Sequence, residues 1–156
     1  MRHFVLMRHA KAEAGEGKID YDRTLVERGW SEADATAKAL AARGLAPETI
    51  LVSASRRTRD TLAATLPHFP GDCIIHLRRS LYDADVTDLR DALRRSQGQR
   101  VLLIGHNPAV HELALEFAGS DASGAGLTQG FPTAHAAVFT LGFGLDTVRF
   151  EEVVRP

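Results

Sequence analysis

A chain of 156 residues, with 44% hydrophobic and 25% charged positions, has the size of one ordinary globular domain and enough apolar side chains for its own core. Its formal net charge of −1 provides no basic field, so nucleic acid is not an expected partner. The single cysteine, Cys73, excludes an internal disulfide framework, and the apolar run at the N-terminus is too short for a signal core or a membrane span. A soluble, cytoplasmic protein is expected.

Short apolar runs alternate with segments of helical periodicity, the pattern of an α/β domain with a largely parallel sheet. Residues 4–7 are the first strand. Trp30, Ala33, Ala37 and Leu40 recur at helical spacing after Glu27, and Gly44 is placed to close that helix. Residues 49–52 read as the second strand. Ser55 is placed to cap a helix that carries Leu62, Ala63 and Leu66 on one face and stops at Pro67. The third strand is 73–77, with the Cys73 thiol expected to be buried and inert beside Ile74 and Ile75. Val86, Leu89 and Leu93 mark a short amphipathic helix, 101–104 the fourth strand, and Val110, Leu113, Ala114 and Phe117 a further helix. The glycine-rich stretch 121–130 predicts a surface loop, followed by strands at 136–141 and 147–153 joined across 142–146. No repeat or boundary interrupts the pattern, so 1–156 is expected to form one domain.

In open parallel sheets, ligands bind beyond the carboxyl ends of the strands, where the amides of following helices face anions. Three segments hold that position here. Arg8-His9-Ala10 comes after the first strand, Ser55-Arg56-Arg57-Thr58 after the second, and Gly105-His106-Asn107-Pro108 after the fourth. Asn107 suits an N-cap and Pro108 a first helical position, which sets His106 at the positive end of a helix. Arginines and histidines without clustered carboxylates are suited to gripping a phosphoryl group, because guanidinium forks match its oxygens. A neutral histidine can also be the nucleophile: neighbouring arginine charge disfavours the imidazolium, and a backbone acceptor can fix the tautomer.

With those residues in place, the sequence resembles the histidine phosphatase superfamily, also called phosphoglycerate mutase-like, and within it the small SixA-type phosphohistidine phosphatases. Leu6-Met7-Arg8-His9-Ala10 is similar to the family's Arg-His signature, which implies His9 as the phosphorylated residue and Arg8 as a phosphate ligand. The run from Ser53 to Thr61 resembles the second motif, serine, three residues, arginine, three residues, threonine; that register selects Arg57 rather than Arg56. Gly105-His106-Asn107-Pro108 is similar to the late Gly-His motif and implies His106 as a phosphate-binding histidine, with Asn107 beside it. The segment from Asp22 to Gly29 resembles the one that opens the family's first helix, with Thr24 and Val26 departing from it, and offers Arg23 as a further substrate contact. Phe131-Pro132-Thr133-Ala134 looks like the Pro-Thr segment of small members. The resemblance implies a three-layer α/β sandwich with a mostly parallel central sheet.

Many members carry a carboxylate acid after the third strand, where this chain offers Tyr82-Asp83-Ala84-Asp85 without the usual glutamate motif. Asp83 is the candidate acid or substrate contact there. A leaving imidazole, whose conjugate acid has a pKa of roughly 6.5, departs more easily than an alkoxide, so a missing acid favours a phosphorus–nitrogen substrate. The expected activity is hydrolysis of phosphohistidine on a protein through a phospho-His9 intermediate, without metal or organic cofactor, by a monomer that engages neither nucleic acid nor membrane. Two alternatives stand beside it: a small-molecule phosphomonoesterase using the same His9, and a non-catalytic anion-binding module. His3, His68, His76, His111 and His135 have no motif around them and are expected in packing or surface roles.

Overall fold

The computed structural model describes residues 1–142 and 146–156, so part of the expected 142–146 connection lies outside the described residues. Six strands form one sheet: β1 (Arg2–Arg8), β2 (Thr49–Ser53), β3 (Ile74–Arg78), β4 (Arg100–Gly105), β5 (Ala136–Leu141) and β6 (Val148–Val154). Their order across the sheet is β3-β2-β4-β1-β5-β6. The first four are parallel; β5 runs antiparallel to β1, and β6 antiparallel to β5. This is the mostly parallel α/β sheet expected from the alternation of strands and helices.

Helices cover both faces: α1 (Glu27–Ala42), α2 (Arg56–Thr65), α3 (Val86–Arg95) and α4 (Ala109–Ala118). The central strands are apolar on both sides because each face has its own core. Val5 and Met7 of β1, with Ile50, Val52, Leu102 and Ile104, pack against Ala33, Ala37 and Leu40 of α1. Phe4 and Leu6, with Leu51, Leu103 and Phe139, pack against Leu89 and Leu93 of α3 and Val110 and Leu113 of α4. Strand alternation thus divides one hydrophobic run between two layers. Among the described residues no helix is long and apolar enough to cross a membrane.

Local signals explain several boundaries. Gly44 closes α1 with φ of 72°; its N–H donates to Ala41 and that of Leu45 to Leu40, the paired bonds of a Schellman cap. Asp85 and Asp88 form a reciprocal capping box at the start of α3.

Other expectations need correction. Trp30 is exposed, because α1 turns Gly29, Ala33, Thr36, Ala37 and Leu40 inward. Cys73 is only half-buried and precedes β3; that strand is a sheet edge, which leaves Ile74, Ile75 and Leu77 exposed. The stretch 121–130 is more than a surface loop, since Ala122 and Leu127 enter the core and Leu127–Gln129 forms a 3-10 turn. The helix after β4 begins at Ala109 rather than Pro108, and Asn107 does not cap it.

The largest departure is α2. Leu62 and Leu66 are only partly buried and Ala63 is exposed, whereas Arg57, Thr58, Asp60, Thr61, Ala64 and Thr65 face inward. Burying that polar face is tolerable because its hydroxyls and carboxylate find partners. Thr58 donates to the Ser53 carbonyl at 2.6 Å, Thr61 to the Arg57 carbonyl at 2.8 Å, and Asp60 accepts from the Leu25 amide at 3.2 Å. Ser55 precedes the helix but places its hydroxyl 2.7 Å from that of Thr58 rather than on a helix amide.

Candidate active site

β4 lies between β2 and β1, so the carboxyl ends of these three adjacent parallel strands open onto one place. His9 comes directly after β1, Ser53 ends β2 and leads into α2, and His106 comes directly after β4. The His9 amide donates to the Gly105 carbonyl at 3.0 Å, tying the ends of β1 and β4 together. The His9 and His106 rings lie with centroids 5.3 Å apart.

The protonation of His9 is set by its neighbours. Nδ1 is 2.7 Å from the Ala10 carbonyl oxygen, which can only accept, so Nδ1 carries the proton. Nε2 is then unprotonated, and Arg57 Nε–H donates to it at 3.3 Å. Burial is the largest cause that lowers the His9 pKa to about 4; the bond to Ala10 works against it, and the charges of Arg57, Arg8 and Arg23 add to it. At neutral pH the ring is a neutral imidazole with a lone pair directed into an arginine-lined space. That is the state of a nucleophile.

Around it stand buried side-chain nitrogens without partners. Arg8 bonds the Phe131 carbonyl through one terminal nitrogen at 3.1 Å, but its buried Nε has no partner. His106 places Nε2 2.8 Å from the Ser53 hydroxyl, while its buried Nδ1 is also unpartnered. Burial, then the charges of His9 and Arg57, lowers the His106 pKa to about 3. Burying unpaired polar groups is costly, so these atoms mark the seat of an anion. Among the described residues no three His, Cys, Asp or Glu side chains converge in a way that would hold a metal ion.

The four-residue spacing of Ser53, Arg57 and Thr61 also acquires a structural reason. Ser53 touches His106, Arg57 faces His9, and Thr61 accepts from the Ala10 amide at 3.0 Å while donating to Arg57. Likewise, the Phe131 carbonyl accepts from both Arg8 and the Asn107 side-chain amide, so the Phe-Pro-Thr segment braces Arg8. Asn107 thus serves the site's wall.

Arg8, His9, Arg57 and His106 are therefore brought together. Arg23 lies at the rim, bonded to the Glu13 carbonyl at 2.9 Å and to Asp20 at 3.1 Å, close enough for its charge to act on His9. Asp83 is exposed and bonds none of these groups. The carboxylate that enters the site is instead Asp20, from a 3-10 turn (Asp20–Asp22), which corrects the expectation of a carboxylate-free cluster. Its Oδ2 accepts from Arg57 at 3.0 Å and from the Tyr82 hydroxyl at 2.5 Å, and its main-chain oxygen accepts from Arg57 at 2.9 Å. The Tyr82 bond is the largest cause holding the Asp20 pKa down at about 2. Nothing in the local pattern announces Asp20, because the turn has no periodicity and its partners lie 37 and 62 residues away.

Residues 4–89 match the model of the histidine phosphatase superfamily, branch 1. The chain belongs to that superfamily. A candidate phosphohistidine phosphatase SixA from Agrobacterium tumefaciens is 34% identical and superimposes with a TM-score of 0.87 over 99% of this chain and 98% of that one. A protein histidine phosphatase SixA complexed with tungstate shares the fold at 23% identity and a TM-score of 0.82, over 99% and 97% of the two chains. An uncharacterised protein of Mycobacterium tuberculosis is 33% identical over 138 residues, 85% of each chain. With the superfamily comes a hydrolase of the phosphatase class, on the SixA-like, phosphoglycerate mutase-like fold.

Proposed function

We propose that this histidine phosphatase superfamily member hydrolyses phosphohistidine on a protein partner through a covalent intermediate on His9. The His9 ring carries the reading: its proton is held on Nδ1 by Ala10, and its Nε2 lone pair faces Arg57. Nε2 attacks phosphorus as the bond from phosphorus to the substrate's imidazole nitrogen breaks, and that nitrogen takes up a proton. Water then attacks phospho-His9, releasing inorganic phosphate and restoring the free imidazole. Arg8, Arg57 and His106 meet the charge on the equatorial oxygens throughout, where preorganised donors count most.

The choice of leaving group rests on the carboxylates. Asp20 is held ionised by Tyr82, Arg57 and Arg23, and Asp83 is exposed beside the site, so neither is set up as a strong proton donor. A phosphorus–nitrogen bond tolerates that arrangement better than an alkyl ester does. The similarity to the Agrobacterium protein supports the same substrate class. A chain with one cysteine fits a reducing compartment, and we assign the reaction to the cytoplasm.

The test compares phosphate release from a phosphohistidine-bearing protein with release from alkyl phosphates, alongside trapping of the phosphoenzyme. The expected result is preference for phosphohistidine and an acid-labile phosphoenzyme that is absent in His9→Ala. Fast alkyl phosphate turnover with none on phosphohistidine would replace this reading with the small-molecule phosphomonoesterase.

A further inference from the structure

Arg57 is buried, with its side chain only 7% exposed, and among the site's arginines it is the one that touches the His9 nucleophile. A guanidinium offers five N–H hydrogens. One from Nε points at His9 Nε2, one from Nη1 is taken by the Asp20 main-chain oxygen, and one from Nη2 by Asp20 Oδ2. Two remain for incoming oxygens. The bond to Asp20 therefore leaves Arg57 able to grip a phosphoryl group while fixing which edge of the fork faces the nucleophile.

Asp20 is itself fixed from two other sides. Tyr82 donates to the same Oδ2 at 2.5 Å, and Arg23 Nε donates to Oδ1 at 3.1 Å. The Tyr82 ring also packs T-shaped against that of His106, with centroids 5.5 Å apart, so one residue contacts both the orienting carboxylate and the second histidine. We propose that Asp20, held by Tyr82 and Arg23, is a positioning residue that holds Arg57 beside the reacting nitrogen of His9 so that its N–H groups meet the oxygens of the transferred phosphoryl group, and that its negative charge lowers affinity for the resting anion. The inference rests on the phosphoryl-transfer reading of the site.

Two consequences move in opposite directions. Removing the carboxylate leaves Arg57 only the Asp20 main-chain oxygen as a brace and costs turnover, because a misaimed group loses most of its contribution to the transition state. Removing a negative charge beside the seat favours a bound tetrahedral oxyanion. A residue that merely supports the fold would weaken both. A residue that merely competes with the anion would weaken neither.

The experiment measures kcat on a phosphohistidine protein and tungstate affinity by calorimetry for wild type, Asp20→Ala, Asp20→Asn and the control Asp22→Asn. Asp20→Ala is expected to lower kcat about 10- to 100-fold while tightening tungstate binding about three- to tenfold. Asp20→Asn retains oxygen acceptors for Arg57, so it should recover part of the lost kcat and keep the tighter tungstate binding. Asp22→Asn, in the same turn, whose Arg57 bonds are made by Asp20, should change neither. Unchanged or raised kcat in Asp20→Ala with tighter tungstate would make Asp20 a competing anion and overturn the proposal. Weaker tungstate together with lower kcat would overturn it in favour of a structural role. If wild type neither turns over phosphohistidine nor binds tungstate, the phosphatase reading fails first and this inference with it. Normal wild-type behaviour with indifferent Asp20 variants would overturn the inference alone.

Discussion

Acidification should destabilise this protein through the ring proposed as its nucleophile. His9 is only 7% exposed, and its pKa falls from the ordinary 6.5 to about 4, with burial as the first cause. In the unfolded chain the imidazole returns to its ordinary value. Between the two values the unfolded state binds a proton that the folded state refuses, so stability present above pH 6.5 is lost as pH falls toward 4. For His9 alone the loss is about 2 kcal/mol at pH 5 and about 3 kcal/mol near pH 4. His106, held to about 3, loses stability in the same direction. Asp20 and Glu13, both held near 2, have the usual carboxylate sign: their contributions are lost only as pH falls from about 4 toward 2. The window between 4 and 6.5 therefore isolates the two site histidines from those carboxylates. Urea unfolding at pH 7, 6 and 5 and constant ionic strength reads the effect directly. His9→Gln removes the titration, and its stability should fall by about 2 kcal/mol less than that of wild type between pH 7 and 5. Parallel wild-type and variant curves would show that the folded ring takes its proton as readily as the unfolded one, and would refute the neutral-nucleophile account.

The same geometry sets four further outcomes. Arg57→Ala should lose about 2–4 kcal/mol of transition-state stabilisation, read as kcat/KM, with the fold intact. Ser53→Ala should release the His106 tautomer: nitrogen NMR is expected to show Nδ1–H in wild type, where the Ser53 hydroxyl can donate to Nε2, and a mixture in the variant with lower kcat. Gly29→Ala should destabilise the fold by about 1–3 kcal/mol in thermal unfolding and impair turnover. Its added Cβ would fall 2.2 Å from the Lys11 carbonyl oxygen, in the segment just after His9. Asp83→Asn should leave phosphohistidine hydrolysis essentially unchanged, since the side chain is exposed and bonds nothing in the site.

How much of the molecule can be read from its sequence depends on how far each signal reaches along the chain. Strand order and strand-end chemistry are legible because a parallel sheet converts chain order into shared position: β1, β2 and β4 lie side by side, and the segments that follow their carboxyl ends reach the same space. Arg8, His9 and His106 therefore emerge, with the Arg56-Arg57 pair, from the residues that follow the carboxyl ends of three apolar runs, and the register of the family motif selects Arg57 from that pair. The inward face of α2 is not legible in the same way. Thr58, Thr61 and Thr65 are buried because backbone carbonyls accept their hydroxyl protons, a pairing that hydrophobic periodicity does not register. Trp30 misleads for the converse reason: its spacing fits a core face, but a glycine one position earlier allows α1 to lie against the Lys11 backbone and turns the indole outward.

Asp20 illustrates a stricter limit. Its proposed function lies in being second to an arginine that is itself identified only by a motif, and the contact closes a loop of 37 residues. Tyr82 adds a third segment, in the region where an acid is expected, and its hydroxyl donates to Asp20. An orienting contact at that place is consistent with the proposed leaving group, which needs little protonation. With the Tyr82 hydroxyl turned onto Asp20, the next residue along the chain, Asp83, is left exposed. A carboxylate search by sequence position finds Asp83, whereas a search by what holds Arg57 finds Asp20.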